Sequence, residues 1–229
     1  MSLNEIQGRL ALITGASGGI GAACAHQLAE HGVHLALTYA TNLAAMNALV
    51  TDLQSKYADN KLRISIHKVD VGSADDIEAM FLQIDTEHGH RPDILISNAG
   101  HGKRFPQSGT ALSKSQPARF IHSRQGGGGA YEEPELGAYY YAASKGGLTG
   151  MMKNLSTRLA EFNISVNDVA PAMIGDTGMI PNAAAIPEVA AGIPLGRLGT
   201  PEETANVVTM LVKTGYMTGQ SLLLAGGLK

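Results

Sequence analysis

Eight residues near the start of the chain, Thr14-Gly15-Ala16-Ser17-Gly18-Gly19-Ile20-Gly21, limit its fold more than any other stretch. They follow the apolar run Leu10–Thr14, which reads as a buried strand. They lead into Ile20–His31, whose helical periodicity Gly32 ends as a C-cap. Glycines in such a turn let the main chain approach an anion and aim amides at it, and the helix N-terminus adds partial positive charge. The spacing of Gly15, Gly19 and Gly21, with Ser17 and Ile20 between them, therefore predicts a seat for the pyrophosphate of a dinucleotide. A strand followed by a crossover helix also commits the chain to parallel pairing.

The alternation continues. Val33–Tyr39, Leu62–Val69, Asp93–Ser97, Ile164–Val169 and Ser221–Leu224 read as strands. Leu43–Tyr57, a helix capped by Ser73 and running through Glu87, Tyr139–Phe162, and a helix from Pro201 to Lys213 lie between them. Pro171–Pro194 reads as a loop holding a short helix. This order predicts an α/β fold, a single Rossmann-like doubly wound parallel sheet with helices on both faces, in one domain spanning residues 1–229. One stretch breaks the pattern. Residues 101–138 are irregular, poor in apolar side chains, and carry the run Gly126-Gly127-Gly128-Gly129; only Ala118–His122 resembles a strand. The loss of periodicity at Pro106 and its return at Tyr139 looks like a splice or reading-frame difference.

Composition removes several function classes. The formal net charge is -3 with no long basic run, which argues against nucleic acid and against electrostatic docking to a membrane. No apolar stretch is long enough to span a bilayer, and no charged-then-apolar leader begins the chain. The single cysteine, Cys24, excludes an intrachain disulfide and fits a reducing, cytoplasmic setting; it reads as a small core residue of the first helix. His88-Gly89-His90 and His101 lie among turn residues and read as a solvated loop rather than a metal site.

Two further features bear on chemistry. Tyr141 and Lys145 stand four residues apart on one helix, so their side chains share a face. An ammonium beside a phenol lowers its pKa from about 10 and suits it to exchange a proton with a carbonyl oxygen. The second strand ends Thr38-Tyr39-Ala40-Thr41-Asn42, without the acid that usually holds a ribose 2′-hydroxyl, so NADP(H) is favoured over NAD(H), although no Arg or Lys stands in that segment.

Together with Asp70-Val71, Asn98-Ala99-Gly100 and Asn167-Asp168-Val169-Ala170-Pro171, these motifs fall in the order of the short-chain dehydrogenase/reductase family, which the chain resembles over about 8–104 and from 139 onward. Within it, the chain looks most like the 3-oxoacyl-acyl-carrier-protein reductases. The resemblance implies that Asp70 and Val71 touch adenine, that Asn98 steadies the central strands, and that Ala99 and Gly100 line the cofactor. It makes Tyr141 the general acid, puts Lys145 on the nicotinamide ribose, and brings Pro171, Ile174 and Thr177 toward the nicotinamide. It also implies a small ketone or acyl-thioester substrate and a homodimer or homotetramer.

Departures from the family cluster in one place. The interval before Tyr141 is short and contains no asparagine, Ser123 is the sole stand-in for the family's serine, and the family's pairing helix is missing, which would weaken association. Ala172 replaces a glycine and Ala225 an aspartate. The alternative expectation is thus a catalytically impaired nucleotide-binding member acting as a partner subunit.

Overall fold

The computed structural model describes residues 5–100, 136–178, 180–182, 184 and 186–228, with the side chains of 136–144 outside the described set. The apolar run after Arg9 forms β1 (Leu10–Ile13), buried along its whole length. A strand with no solvated face belongs at the centre of a parallel sheet. β1 pairs on one side with β2 (His34–Tyr39) and on the other with β4 (Ile94–Ile96), and β3 (Ile64–Lys68) lies beyond β2. Every pairing in this four-stranded sheet is parallel. The crossovers are α1 (Gly19–Glu30), α2 (Leu43–Lys56) and α3 (Ala74–His88).

α4 (Leu136–Leu159) leads to a second parallel ladder, β5 (Asp168–Pro171) with β6 (Ser221–Leu224); α5 (Pro187–Ala191) and α6 (Pro201–Lys213) lie between these strands in sequence. α6 joins the two ladders: Ala205 is buried in the core of α1, β1 and β2, with Val208 and Val212 packed against it. Among the described residues no ladder joins β4 to β5.

Local chemistry sets the boundaries. Ser73 Oγ accepts the Asp76 amide at the start of α3, whose first turn carries Asp75 and Asp76. Thr200 and Glu203 form a capping box at α6 with Pro201 in its first turn. β5 begins four residues later than the apolar pattern suggests. Asn163 is left-handed (φ 57°), and the chain then spends its polar groups on a turn instead of a ladder. Val166 N–H donates to Thr218 Oγ1, and Asn167 both donates to Met217 O and accepts from Gln220 N. Ladder pairing starts only at Asp168, opposite Ser221. Cys24 is fully buried, as expected, and burial pushes its thiol pKa up to about 12.

His88 departs from the solvated loop expected of it, whereas His90 stays in the turn after α3, its Nδ1 2.9 Å from the Arg91 carbonyl. His88 is the last residue of α3 and only 3% exposed. Alternation along β3 points Ser65 and His67 to the same side, where α3 covers them. A relay results. Gln83 Oε1 lies 3.0 Å from His67 Nδ1, His67 Nε2 lies 2.7 Å from Ser65 Oγ, and Ser65 Oγ lies 2.8 Å from His88 Nε2. An amide oxygen only accepts, so the partners assign the proton of His67 to Nδ1; its Nε2 accepts the Ser65 hydroxyl, and Ser65 accepts from the protonated Nε2 of His88. Arg63 donates to the His88 carbonyl at 3.0 Å. His88 Nδ1 is buried with no hydrogen-bond partner among the described residues. Burial, and then the Arg63 charge, push the His88 pKa from 6.5 down to about 4.

A base whose folded pKa lies below its unfolded value is held neutral by the fold. This contribution is therefore complete above pH 6.5 and drains away as pH falls toward about 4. Urea midpoints should decline through that window in the wild type and less steeply in His88→Gln; equal slopes would refute the assignment. At neutral pH, Ser65→Ala should cost about 1–3 kcal/mol, because it strips partners from two buried imidazoles.

Candidate functional site

The glycine turn is anchored from both neighbouring strands. From β2, the buried Thr38 accepts the Gly15 amide on Oγ1 at 3.2 Å and the Ala16 amide on its carbonyl at 2.9 Å. From β4, the Asn98 and Ala99 amides both donate to Thr14 Oγ1 at 3.0 Å. The Asn98 side chain donates to Thr14 O at 3.0 Å and to Gly15 O at 3.1 Å. The first amides of the turn are therefore committed to holding it. Those at the start of α1 have no intrahelical acceptor, the N-cap Gly18 brings no side chain, and no acid stands in the first turn. Main-chain donors at the positive end of a helix are what a pyrophosphate requires.

At Gly15 and Gly21 nothing larger fits. Gly15 is left-handed (φ 64°), and a Cβ on it would lie 2.8 Å from Ala99 Cα. A Cβ on Gly21 would lie 2.5 Å from Gly15 O and 2.7 Å from Asn98 Nδ2. The residues present thus form a cradle whose main-chain donors and close backbone approach fit a dinucleotide.

The loop after β5 closes on the same point. Thr177 packs against Gly19, with its Cγ2 3.3 Å from where a Cβ would be. Its hydroxyl donates to the buried Ile174 carbonyl at 3.3 Å. Ile20, Asn98 and Pro171 line one groove together with Ile96 and Val169. The fold thereby gathers Gly15, Ser17, Gly19, Ile20, Gly21, Asn98, Ala99, Pro171 and Thr177, which are scattered through the sequence. Gly100 follows this cluster exposed. Asp70 and Val71 stand past β3 at the same sheet edge, where Asp70 Oδ1 accepts the Gly72 amide at 2.8 Å and Asp76 Oδ2 accepts the Asp70 amide at 2.9 Å.

Lys145 lies on α4, half-buried, and burial lowers its pKa. The Tyr141 backbone sits one helical turn earlier, while its side chain lies outside the described residues, as does Ser123 altogether. Sequence reading overlooked Thr14 and Thr38. Each is a hydroxyl residue at the carboxyl end of a strand, a signal that becomes specific only once the turn is seen lying between the two strands. Among the described residues no group of three or more His, Cys, Asp or Glu could hold a metal ion, and no helix is long and apolar enough to cross a membrane.

A profile described as short chain dehydrogenase matches residues 9–123, and one described as Enoyl-(Acyl carrier protein) reductase matches 130–229. The first match continues through Ser123, so the family pattern extends further into the irregular interval than the motifs alone indicate. The chain is 30% identical to a 3-oxoacyl-acyl-carrier-protein reductase of Staphylococcus aureus, covering 95% of this chain and 97% of the relative. It is 32% identical to the enzyme of the same name from Rickettsia bellii, with 98% of each covered. Among solved structures, a short-chain dehydrogenase/reductase from Serratia marcescens superposes with a TM-score of 0.80 at 27% identity, covering 98% of this chain and 99% of the other. A short chain dehydrogenase from Burkholderia cenocepacia, solved in complex with NADP, also gives 0.80 at 25% identity, with 98% and 99% covered.

Gly21→Ala tests the cradle. A methyl group there must displace the Gly15 carbonyl or the Asn98 amide, both already bonded. The variant should lose about 2 kcal/mol in urea unfolding and bind NADPH at least tenfold more weakly by fluorescence titration, about 1.4 kcal/mol. Wild-type affinity in that variant would show that the turn does not hold the cofactor.

Proposed function

We propose that this chain, which belongs to the short-chain dehydrogenase/reductase family, is an NADPH-dependent carbonyl reductase of the 3-oxoacyl-thioester type. The observation that carries the reading is the glycine cradle, locked by Asn98 and closed over by Thr177, at the sheet edge that α4 follows in sequence. The names of the relatives support the substrate class, and the loop from Ala172 to Pro194, small and apolar in sequence and without a diagnostic charge, suits an acyl chain.

When bound, the nicotinamide supplies the hydride. The chain supplies orientation and a proton. The free amides of α1 hold the pyrophosphate, and Asp70 and Val71 meet the adenine. Ala99, Gly100, Pro171, Ile174 and Thr177 line the path to the nicotinamide. Lys145 binds the ribose, and its ammonium, in the half-buried setting that lowers its own pKa, favours the phenolate of Tyr141. Tyr141 then gives its proton to the substrate oxygen as the carbonyl carbon is reduced, and Ser123 orients that carbonyl. The protein acts in the cytoplasm as a homodimer or homotetramer paired through α4.

A second reading has one specific observation in its favour: no asparagine occurs between residues 100 and 140, and Ser123 stands further from Tyr141 than the family's serine does. On that reading, the chain binds NADPH and serves as an impaired partner subunit. Steady-state assays with NADPH and an acetoacetyl thioester separate the two. For the enzyme, Tyr141→Phe should cut kcat by about 100-fold or more while leaving NADPH binding in place, and Lys145→Met should weaken both. Tight NADPH binding with no turnover in the wild type would establish the partner subunit instead.

A further inference from the structure

The end of β2 lacks both of the usual discriminators: Ala40, Thr41 and Asn42 are exposed, none is acidic or basic, and Asn42 Oδ1 is already taken by the Ala45 amide. What reads the 2′ position must then come from a neighbouring element. The strands of the first sheet are all parallel, so its charged residues sort by edge. Arg9, Arg63 and Arg91 directly precede β1, β3 and β4 or the turn into them, and Lys56 ends α2; all four belong to the edge away from the cradle. Arg197 is engaged by Glu203 at 2.6 and 2.9 Å. Among residues 5–100, which build this sheet and its crossovers, Lys68 is the one Lys or Arg at the carboxyl edge; Lys145 comes from α4 and is assigned above to the other ribose.

Its register and face are fixed. Lys68 is the last residue of β3 and pairs with Tyr39, the last residue of β2. Alternation separates it from the buried Ser65 and His67 and places it with Ile64 and Ile66. Ile64, Tyr39, Leu35 and Leu37 pack in the core that α1 shares. Lys68 therefore rises, exposed, on the same face of the sheet as the helix that opens with Gly19. Adjacent strands lie about 4.8 Å apart, so the ammonium stands within reach of a group bound beyond the end of β2.

We infer that Lys68 is the specificity-determining residue that selects a dinucleotide carrying a ribose 2′-phosphate over one carrying a free 2′-hydroxyl. The inference rests on the cofactor reading above and adds to it a residue on a strand that the usual reading of such sites does not consult. A phosphate dianion and an ammonium at about 7 Å in water attract enough to change affinity roughly sevenfold unscreened and about fivefold at low salt, and the effect shrinks further as salt is added.

The test is fluorescence titration of the purified chain with NADPH and with NADH, in wild type, Lys68→Met, Lys68→Arg and Lys68→Glu, with thermal melts to confirm that each variant is folded. In Lys68→Met, NADPH affinity should fall about fivefold while NADH affinity stays unchanged. Lys68→Arg should retain the preference, Lys68→Glu should reverse it, and the wild-type preference should narrow at high salt. An NADPH-to-NADH ratio unchanged in Lys68→Met and Lys68→Glu overturns the inference and leaves the cofactor site standing. So does a wild type that prefers NADH. A wild type that binds neither dinucleotide overturns the cofactor reading, and this inference with it.

Discussion

The arrangement depends on how the Asn98 amide and the Thr14 hydroxyl stitch β4 to the end of β1. One side-chain amide donates to two successive carbonyls, Thr14 O and Gly15 O, while one hydroxyl accepts two successive amides, Asn98 N and Ala99 N. These four bonds fill the inner side of the turn and leave no room for side chains at Gly15 or Gly21. The outward amides at the start of α1 are left without intrahelical acceptors, the arrangement an anion requires. Thr38 completes the bracket from β2. The cradle is thus a property of three parallel strand ends, at the point where the chain order reverses on either side of β1.

The glycine spacing, the alternation of strands and helices, and the caps at Ser73 and Thr200 were all legible from local patterns, because each is decided within a few residues. The start of β5 was not. Ile164, Val166 and Val169 look like a strand, yet Asn163 turns and Asn167 bonds to the segment before β6, so the ladder waits until Asp168 finds Ser221. Apolar alternation reports that a face will be buried; it does not report which partner reaches the backbone first.

His88 shows the same limit for polar residues. In the sequence it stands beside Gly89 and Pro92 and reads as a loop histidine. In the fold, α3 swings it over β3, where it is buried against the Ser65 hydroxyl. A buried imidazole becomes acceptable when a partner at the right height on another element satisfies it, and such partners are invisible to a local reading. Thr14 and Thr38 were overlooked for the same reason.

The sequence by itself determined the family, the parallel α/β order and the strand–glycine turn–helix junction, because these follow from glycine spacing and from the periods of buried faces. It also placed Tyr141 and Lys145 one turn apart, since helix geometry alone does that. Only the tertiary structure decided which amides of the turn are spent on holding it, that Thr177 from beyond β5 closes on Gly19, and that Lys68 pairs with Tyr39 at the sheet edge that carries the glycine turn. Those facts depend on register and on contacts between strands distant in sequence. Register is set by how whole faces are buried, and no single stretch of the chain carries it.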